Sequence, residues 1–362
     1  MTDRMVKCTV LFILTLILTQ AALAQAASLQ EYTFAQEKKV FFPQAALISV
    51  QNISGDVEIQ GEDQNQVVIR ATKRVKARSQ KEAEEWAEKV NISFDERADG
   101  LFIEVKMPKD WSESLGSLLT KLFEKQPSVQ VDFDIRTPRQ VEVKVASVSG
   151  DISVVSVEKN VLIDVVSGDL EVAHIGGDLN IDAVSGDMVL QDLAGDVTIN
   201  AISSDMEVTN IKGDVSIDVT SGDLIGKHIG GKCAVDGTSG DVNVEDVYGD
   251  VHIDVTSGDI SIGQKGGELW IDTSSGDVSV QTIVQKNGRY RVDTSSGQIR
   301  FFIPPTTSCK VNLETSGGRI HAKLPMVVET ATRTRLQGTI GSGEALVTLS
   351  TSGGDIDLLP LD

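Results

Sequence analysis

Aromatic side chains and cysteines are scarce in this sequence, which has 3 Trp, 3 Tyr, 10 Phe and 3 Cys among 362 residues. The shortage of aromatic rings disfavours a surface that binds sugars by stacking. Cys233 and Cys309 both alternate with apolar residues. In the repeat described below they would lie about four coils apart, beyond the roughly 4.4–6.8 Å Cα separation of a disulfide. We therefore expect two buried free thiols.

Long apolar runs are missing except near the N-terminus. Arg4 and Lys7 precede an apolar run at 8–18, and small residues then end in Ala-Leu-Ala at 22–24. A basic start, an apolar centre and an A-x-A end are the three parts of a secretory signal peptide. We predict export with removal of residues 1–24 and no integral membrane span afterwards. A membrane anchor is the alternative, although the run is well short of about 20 residues.

Basic side chains are nearly missing from the middle of the chain. Residues 146–284 carry 5 basic and 25 acidic side chains. The flanking segments are nearly balanced, with 17 basic and 20 acidic side chains at 29–145 and 9 basic and 7 acidic side chains at 285–362. The net charge of −20 therefore belongs to the middle segment. Its field repels phosphate groups, so we expect neither nucleic acid nor anionic lipid headgroups as partners.

The acidic residues of this segment follow an eighteen-residue repeat. Aspartate recurs eight times at that interval, seven times after Ser-Gly, at Asp151, Asp169, Asp187, Asp205, Asp223, Asp241, Asp259 and Asp277. A second series of Gly-Asp-type pairs lies halfway between, so the unit has nine residues in two versions. Each unit places apolar residues two apart in a run rich in Val and Ile, which is typical of a half-buried strand. Nine residues are too few for a helical crossover.

The repeat therefore predicts an all-β fold, a parallel β-solenoid with eighteen residues per coil in two nine-residue half-repeats. We predict that residues 29–108 form an N-terminal β-rich capping unit with a helix at 79–90. Ser79 would be the N-cap of this helix, with Glu82 three residues later as in a capping box.

Two further units follow in the sequence. Residues 109–128 keep a helical spacing of apolar residues and predict a helical insertion or linker that caps the solenoid, with a partner-binding or membrane-surface helix as the alternative. Residues 129–362 predict the solenoid itself. Its period loosens after Asp277, so irregular C-terminal coils and a cap are expected.

Several motifs together carry a resemblance to a known family. They are Asn52-Ile-Ser-Gly-Asp56-Val, the helix near 79–90, Arg136-Thr-Pro-Arg139 before the strand at 141–145, the Ser-Gly-Asp repeat, and the closing segment at 341–358. Over most of residues 45–358 the chain resembles the bacterial putative adhesin family of exported β-strand-repeat proteins. That resemblance implies a β-solenoid at the cell envelope and no catalytic residues.

A second acidic column lies five residues before each corner Asp. It comprises Asp164, Asp182, Asn200, Asp218, Asp236, Asp254 and Asp272. Like charges stacked about 4.8 Å apart repel by roughly 0.9 kcal/mol per pair even in water. We expect each carboxylate to offset this by accepting turn N–H bonds. Bound calcium is the alternative, although the denser glycine pattern of calcium-binding nonapeptides is missing; we predict no cofactor.

The repeat favours a non-catalytic role. Nearly uniform corners leave little chain to build a substrate groove, and equivalent carboxylates in rows give no reason for one perturbed acid–base pair. His174 and His228 occupy equivalent repeat positions, which indicates a structural role. A β-helix enzyme acting on polysaccharides and a polymerising scaffold remain alternatives.

The main hypothesis is a monomeric adhesin-like or scaffold rod in the periplasm or at the cell surface. It would bind an envelope or extracellular protein or glycan. His252 and Trp270 lie eighteen residues apart, and Arg291 falls in the same column once the later slip of the period is allowed. An Arg291–Trp270 cation–π contact would make this column a surface binding site. An ordinary outward-facing ladder is the alternative, and a row of Thr220, Thr238, Thr256 and Ser274 only faintly resembles ice-binding solenoids.

Overall fold

The computed structural model describes residues 29–41, 46–107 and 128–361. The predicted signal peptide at 1–24 and almost all of the predicted insertion at 109–128 lie outside these residues. The described chain forms 31 strands in two long sheets, here called sheet 1 and sheet 2. No helix within the described ranges is long and apolar enough to cross a membrane.

Each central coil contributes one strand to each sheet. The sheet 1 strands are β9 (Ile152–Val155), β11 (Leu170–Ile175), β13 (Met188–Leu193), β15 (Met206–Ile211), β17 (Leu224–Ile229), β19 (Val242–Val247), β21 (Ile260–Gln264), β23 (Val278–Thr282) and β25 (Ile299–Ile303). The sheet 2 strands are β8 (Glu142–Ser149), β10 (Val161–Ser167), β12 (Leu179–Ser185), β14 (Val197–Ser203), β16 (Val215–Ser221), β18 (Cys233–Ser239), β20 (Val251–Ser257), β22 (Leu269–Ser275) and β24 (Arg289–Ser296). Successive strands in each sheet pair in parallel, with Ile163 opposite Ile181 for example. The predicted parallel β-solenoid is confirmed.

The N-terminal elements complete both sheets at one end. They are β1 (Gln30–Phe41), β2 (Leu47–Ser54), β3 (Val57–Glu62), β4 (Gln66–Ala77), α1 (Gln80–Lys89), β5 (Asn91–Glu96), β6 (Gly100–Lys106) and β7 (Ser128–Pro138). Strands β2 and β3 pair in parallel with β8 and β9, so they form the first coil in chain order, and β6 and β7 pair in parallel with them on the outer side. Antiparallel β4 and β1 extend sheet 1 beyond β7, and β6 and β5 extend sheet 2. The division of the chain into the predicted domains stays a prediction.

Helix α1 is fixed at both ends by side chains. The Ser79 hydroxyl accepts the backbone N–H of Glu82, while the Glu82 carboxylate accepts that of Arg78. At the other end the Lys73 Nζ donates to the carbonyl oxygens of Ala87 and Val90, each at 2.7 Å. These bonds satisfy terminal groups that have no partner inside the helix.

The far end of the solenoid reverses the order of its last two coils. It contains β26 (Cys309–Thr315), β27 (Ile320–Ala322), β28 (Val327–Ala331), β29 (Arg335–Ile340), β30 (Ala345–Thr351) and β31 (Ile356–Pro360). The later strand β30 lies between β24 and β26, and β31 lies between β25 and β27. The chain thus forms its outermost coil first, and the antiparallel pair β28–β29 then covers it in sheet 2.

The core between the sheets consists of aliphatic side chains at alternating strand positions. Cys233 and Cys309 occupy such positions, and both are free and buried, as the alternation predicts. Burial raises the pKa of the Cys233 thiol to about 12 and that of Cys309 to about 11. Both side chains are therefore protonated at neutral pH and serve the core as small apolar groups.

The Ser-Gly-Asp corners bring neighbouring coils into close backbone contact. Gly240 has a φ of +137°, and a Cβ atom on it would lie 1.9 Å from the carbonyl oxygen of Gly222. Only glycine combines that dihedral with that approach. The Asp carboxylate of one coil then accepts the backbone N–H of the corresponding Asp in the next, at 2.8–3.2 Å, in the series Asp56, Asp151, Asp169 and Asp187, and again in the series Asp205, Asp223, Asp241, Asp259 and Asp277.

This ladder is interrupted where the repeat departs from Ser-Gly-Asp. At Ser204-Asp205 the serine does not adopt a positive φ, and within the described chain the Asp205 N–H has no hydrogen-bond acceptor. The Gly-Asp corners carry an equivalent ladder from Asn160 to Asp214, whose carboxylate accepts the Lys232 N–H at 2.8 Å. It stops there because an ammonium group cannot accept.

A column of left-handed residues lies on sheet 1 and includes both repeat histidines. Positive φ angles near +60° recur every eighteen residues at Ser156, His174, Asp192, Asn210, His228 and Asp246. Asn, Asp and His adopt this conformation more readily than most residues. This shared conformation agrees with the predicted structural role of His174 and His228, and each also lies within 3.4 Å of an Asp carboxylate in the next coil.

The period slips where a polar cluster enters the core. Strand β24 pairs with β22 so that Ser296 lies opposite Ser275, an interval of 21 residues. The hydroxyl of buried Tyr290 accepts the Gln285 N–H at 2.8 Å and donates to the Gly267 carbonyl at 3.0 Å. These bonds hold the three inserted residues at the corner, so the register of the strands is kept.

The glycine at a corner can be compared with one inside a strand. We expect Gly240→Ala to lower the free energy of unfolding by at least about 2 kcal/mol, because a strained φ is added to a backbone clash. Gly237 has no positive φ, and its added Cβ would meet its nearest atom at 3.4 Å, an ordinary contact. Gly237→Ala should therefore change stability by less than about 1 kcal/mol. Urea denaturation of both variants measures the difference, and similar losses would contradict the proposed role of the corner.

Candidate functional site

The outer face of sheet 2 carries three columns of side chains that run along the solenoid axis. The first column comprises Lys144, Leu162, Asn180, Thr198, Ser216, Ala234, His252, Trp270 and Arg291. The middle column comprises Ala146, Asp164, Asp182, Asn200, Asp218, Asp236, Asp254, Asp272 and Asp293. The third column comprises Ile53, Val148, Val166, Val184, Ile202, Thr220, Thr238, Thr256, Ser274 and Ser295. Because the strands keep register, equivalent positions of successive coils lie in straight columns.

The first column brings His252, Trp270 and Arg291 together. The His252 and Trp270 rings meet edge to face, with centroids 5.0 Å apart and planes at 75°. The Arg291 guanidinium carbon lies 5.7 Å from the centroid of the Trp270 ring, within cation–π range. Trp270 nevertheless remains 47% exposed. The three residues form a continuous surface row with an accessible indole.

A shallow groove of about 440 Å³ surrounds this row. Its other charged residues are Lys232, Arg289, Asp250 and Glu268. Within the described part of the chain, neither Lys232 nor Arg289 forms an ion pair, whereas Arg291 is bound to Asp293, which raises the pKa of Arg291. We call the five residues His252, Trp270, Arg291, Lys232 and Arg289 the Trp270 patch.

Two members of the Trp270 patch were not predicted from the sequence. Lys232 stands where the other half-repeats of that series have an acidic or turn residue, and Arg289 lies two residues before Arg291. Both features are visible in the sequence. The sequence does not show that both residues lie in one patch, because Lys232 reaches the patch only through the stacking of separate coils.

The middle column differs from what the sequence led us to expect. Its carboxylates lie at the centres of the sheet 2 strands and do not accept turn N–H bonds, so that prediction is wrong. The N–H bonds are accepted at the corners five residues later, because the column falls halfway along a strand. Lys144 pairs with Asp164 at 3.5 Å, and the Asn200 amide donates to Asp182 at 2.8 Å.

The remaining carboxylates of the column form a row of like charges. Asp218, Asp236, Asp254 and Asp272 have no hydrogen-bond or ion-pair partner within residues 29–41, 46–107 and 128–361. Burial raises the pKa of Asp272, and the charges of Asp254 and Asp293 raise it further. No group of three or more His, Cys, Asp or Glu side chains in the described ranges is arranged to hold a metal ion. A single file of carboxylates does not supply the six to eight oxygens that calcium takes.

The raised pKa of Asp272 makes a pH-dependent contribution to stability. Because its folded pKa exceeds the unfolded value, the protonated form favours the native state, and that stabilisation is lost as the pH rises through the folded pKa. We expect Asp272→Asn to raise the urea midpoint at pH 7, and the gain to vanish below about pH 4. Glu207→Gln removes one charge from an exposed position on sheet 1 and serves as the control. A gain from Asp272→Asn that is the same at every pH would contradict this account.

Similar proteins are found among solved structures and in one family model. No curated protein matches the sequence. Among solved structures, a "putative adhesin" from Bacteroides fragilis is 12% identical over 65% of this chain and 96% of that chain, with a TM-score of 0.33. A "putative lipid binding protein" from Parabacteroides distasonis is 12% identical over 89% and 96%, with a TM-score of 0.32. A "putative cell adhesion protein" from Clostridium sporogenes is 9% identical over 91% and 100%, with a TM-score of 0.21.

These structural similarities are too distant to support an argument. The family model described as Toastrack DUF4097, in contrast, matches residues 46–245 and 191–359, which together span most of the sequence. It covers the first coil, the whole repeat and the far end. The family resemblance found in the sequence is therefore confirmed, and the chain belongs to the Toastrack DUF4097 family.

Proposed function

We propose that this protein is an exported, non-catalytic, adhesin-like β-solenoid of the bacterial cell envelope that binds its partner through the Trp270 patch. The observation that carries the proposal is the local composition of that patch. An exposed indole and three cationic side chains meet there, although the segment that holds Trp270 and Lys232, residues 146–284, has only 5 basic residues. The signal-peptide pattern at residues 1–24 supports the envelope location.

The chemistry of the patch favours a carboxylated glycan as the ligand. The accessible face of Trp270 can stack on the apolar face of a sugar ring. Arg289 and Lys232, which have no ion-pair partner in the described chain, can bind the sugar carboxylate, and an arginine can do so in a bidentate manner. Asp250 and Glu268 border the same groove and can accept sugar hydroxyls. The volume of about 440 Å³ accommodates only a short stretch of a glycan at one time.

Substitution of the indole tests this proposal. We expect the mature chain to bind an oligogalacturonate in isothermal titration calorimetry, and Trp270→Ala to weaken that affinity about ten-fold through loss of stacking. Arg289→Ala should weaken it and reduce its salt dependence. Tyr248→Ala removes an aromatic ring that is 59% exposed outside the Trp270 patch, and should leave the affinity unchanged.

Three other results would contradict parts of the proposal. Equal binding of neutral dextran would show that carboxylate recognition is wrong. Unchanged binding after Trp270→Ala would remove the patch from the proposal. If no glycan binds but crosslinking on intact cells joins the patch to a protein, the partner is a protein instead.

One observation favours a second candidate, an enzyme acting on polysaccharides. Burial and the charge of neighbouring Asp254 raise the pKa of Asp272, and glycoside hydrolysis uses a carboxylic acid of raised pKa together with a second carboxyl group. The open outer face of the sheet and the identical spacing of all the other carboxylates in the column favour binding without catalysis. Incubation of the same oligogalacturonate with the protein, followed by chromatography, decides between the two. Shortened products that Asp272→Asn abolishes would establish the enzyme.

A further inference from the structure

The third column of sheet 2 changes its chemistry halfway along the solenoid. In the first five coils it is aliphatic and exposed, with Ile53 at 37%, Val148 at 49%, Val166 at 46%, Val184 at 42% and Ile202 at 53%. In the next three coils the same position holds Thr220, Thr238 and Thr256. All of these residues are β-branched and suit a strand equally. Strand propensity therefore does not explain why one half of the column exposes aliphatic groups to water.

The aliphatic half of the column forms one wall of a groove of about 820 Å³. The opposite wall is the middle column from Asp164 to Asp218. The floor between them includes the small side chains of Ser147, Ala183 and Ala201 together with Val165. The aliphatic wall, the acidic wall and the small floor residues lie in the same coils. Exposed apolar surface organised in this way is typical of an interaction site.

The groove runs across the strands, and this limits what can bind in it. Backbone groups of the sheet are used in the parallel ladders, so an extended peptide would find no hydrogen-bond partners there. An α-helix satisfies its own backbone groups and needs only side-chain contacts. Its turn of about 5.4 Å is close to the coil spacing of about 4.8 Å, whereas equivalent side chains of an extended strand recur at about 6.8 Å. From Ile53 to Ile202 the wall is about 19 Å long, the length of a helix of about 13 residues.

The negative charge of the groove indicates that the bound helix is basic. Asp218 has no partner in the described chain, and the only cation paired with this wall is Lys144, at Asp164. The surrounding segment of residues 146–284 carries 5 basic and 25 acidic side chains. A second copy of the chain would bring the same negative charge and be repelled. A basic partner would instead be attracted.

We propose that this groove binds a basic amphipathic α-helix of a partner protein. The apolar face of the helix lies on the aliphatic column, and Lys or Arg residues along its flank face Asp182 and Asp218. Recognition of this type places an apolar helix face in a groove and uses charge for orientation and rate. It is independent of the Trp270 patch, which lies in later coils.

The test uses the mature chain, residues 25–362, and a fluorescein-labelled 14-residue helix of Leu and Lys with all leucines on one face. We expect fluorescence anisotropy to show saturable binding that weakens strongly when the salt is raised to about 0.5 M. A peptide of the same composition with its order scrambled should bind at least about ten-fold more weakly, because it lacks an apolar face.

Variants of the chain locate the binding. The triple variant Val166→Thr, Val184→Thr and Ile202→Thr copies the threonines of the later coils, so the strands are preserved, and should weaken binding at least about ten-fold. Asp182→Asn with Asp218→Asn should weaken binding and flatten its salt dependence. The matched control, Val189→Thr with Ile225→Thr, changes two side chains on the outer face of sheet 1 that are each 45% exposed, and should bind as the wild type does.

Several outcomes would overturn the proposal. Equal binding of the scrambled peptide would reduce the effect to general attraction by an acidic surface, and unchanged affinity of the triple variant would place the peptide elsewhere. If no peptide binds and the triple variant dissociates a dimer in sedimentation, the groove holds a second copy. If no peptide binds and the triple variant makes residues 108–127 more susceptible to protease, the groove holds that segment of the chain itself.

Discussion

The close approach of neighbouring coils at the Ser-Gly-Asp corners is the constraint on which the structure depends. A glycine such as Gly240 allows the backbone of one coil to touch the next, and the following carboxylate accepts an N–H from the coil beyond. A hydrogen bond to an ionised acceptor stabilises the fold more than a neutral one does, and it offsets the repulsion between stacked charges. Because the bond joins identical positions, each corner sets the next coil in register.

The exact register turns the surface into columns, and the columns determine what the protein can recognise. The corner column and much of the middle column repeat aspartate and thus have no local site. Recognition becomes possible where a column changes, as at Trp270, or in the switch from Ile202 to Thr220. Both changes lie on the outer face of sheet 2, on opposite sides of the middle acidic column. The polar cluster around Tyr290 contributes to the first site, because it keeps Arg291 in register beneath Trp270 after three inserted residues.

The sequence predicted the repeating part of this structure well, because its order depends on local periodicity. The solenoid, the two half-repeats and the buried thiols of Cys233 and Cys309 follow from alternation and spacing. The proximity of His252, Trp270 and Arg291 follows from counting residues. The error over the middle column arose because spacing shows that residues stack without showing whether they lie at a corner or in mid-strand.

Other features depend on contacts between distant parts of the chain. Strand β2 pairs with β8 across the intervening β3–β7 elements, and β30 lies between β24 and the earlier β26. No local pattern indicates such an insertion or reversal of coil order, because each strand resembles its neighbours in composition. The groove is similarly hidden, since its floor, its aliphatic wall and its acidic wall come from different positions in each of several coils.

Hydrogen exchange at the corner amides tests the central claim about the corners most directly. The N–H groups of Asp223, Asp241 and Asp259 each donate to a carboxylate of the preceding coil at 2.8–2.9 Å, although their residues are exposed. The N–H of Asp205 lacks an acceptor in the described chain and provides an internal comparison in the same residue type. The account predicts that the three bonded amides exchange far more slowly than that of Asp205. Equally fast exchange at all four would contradict it.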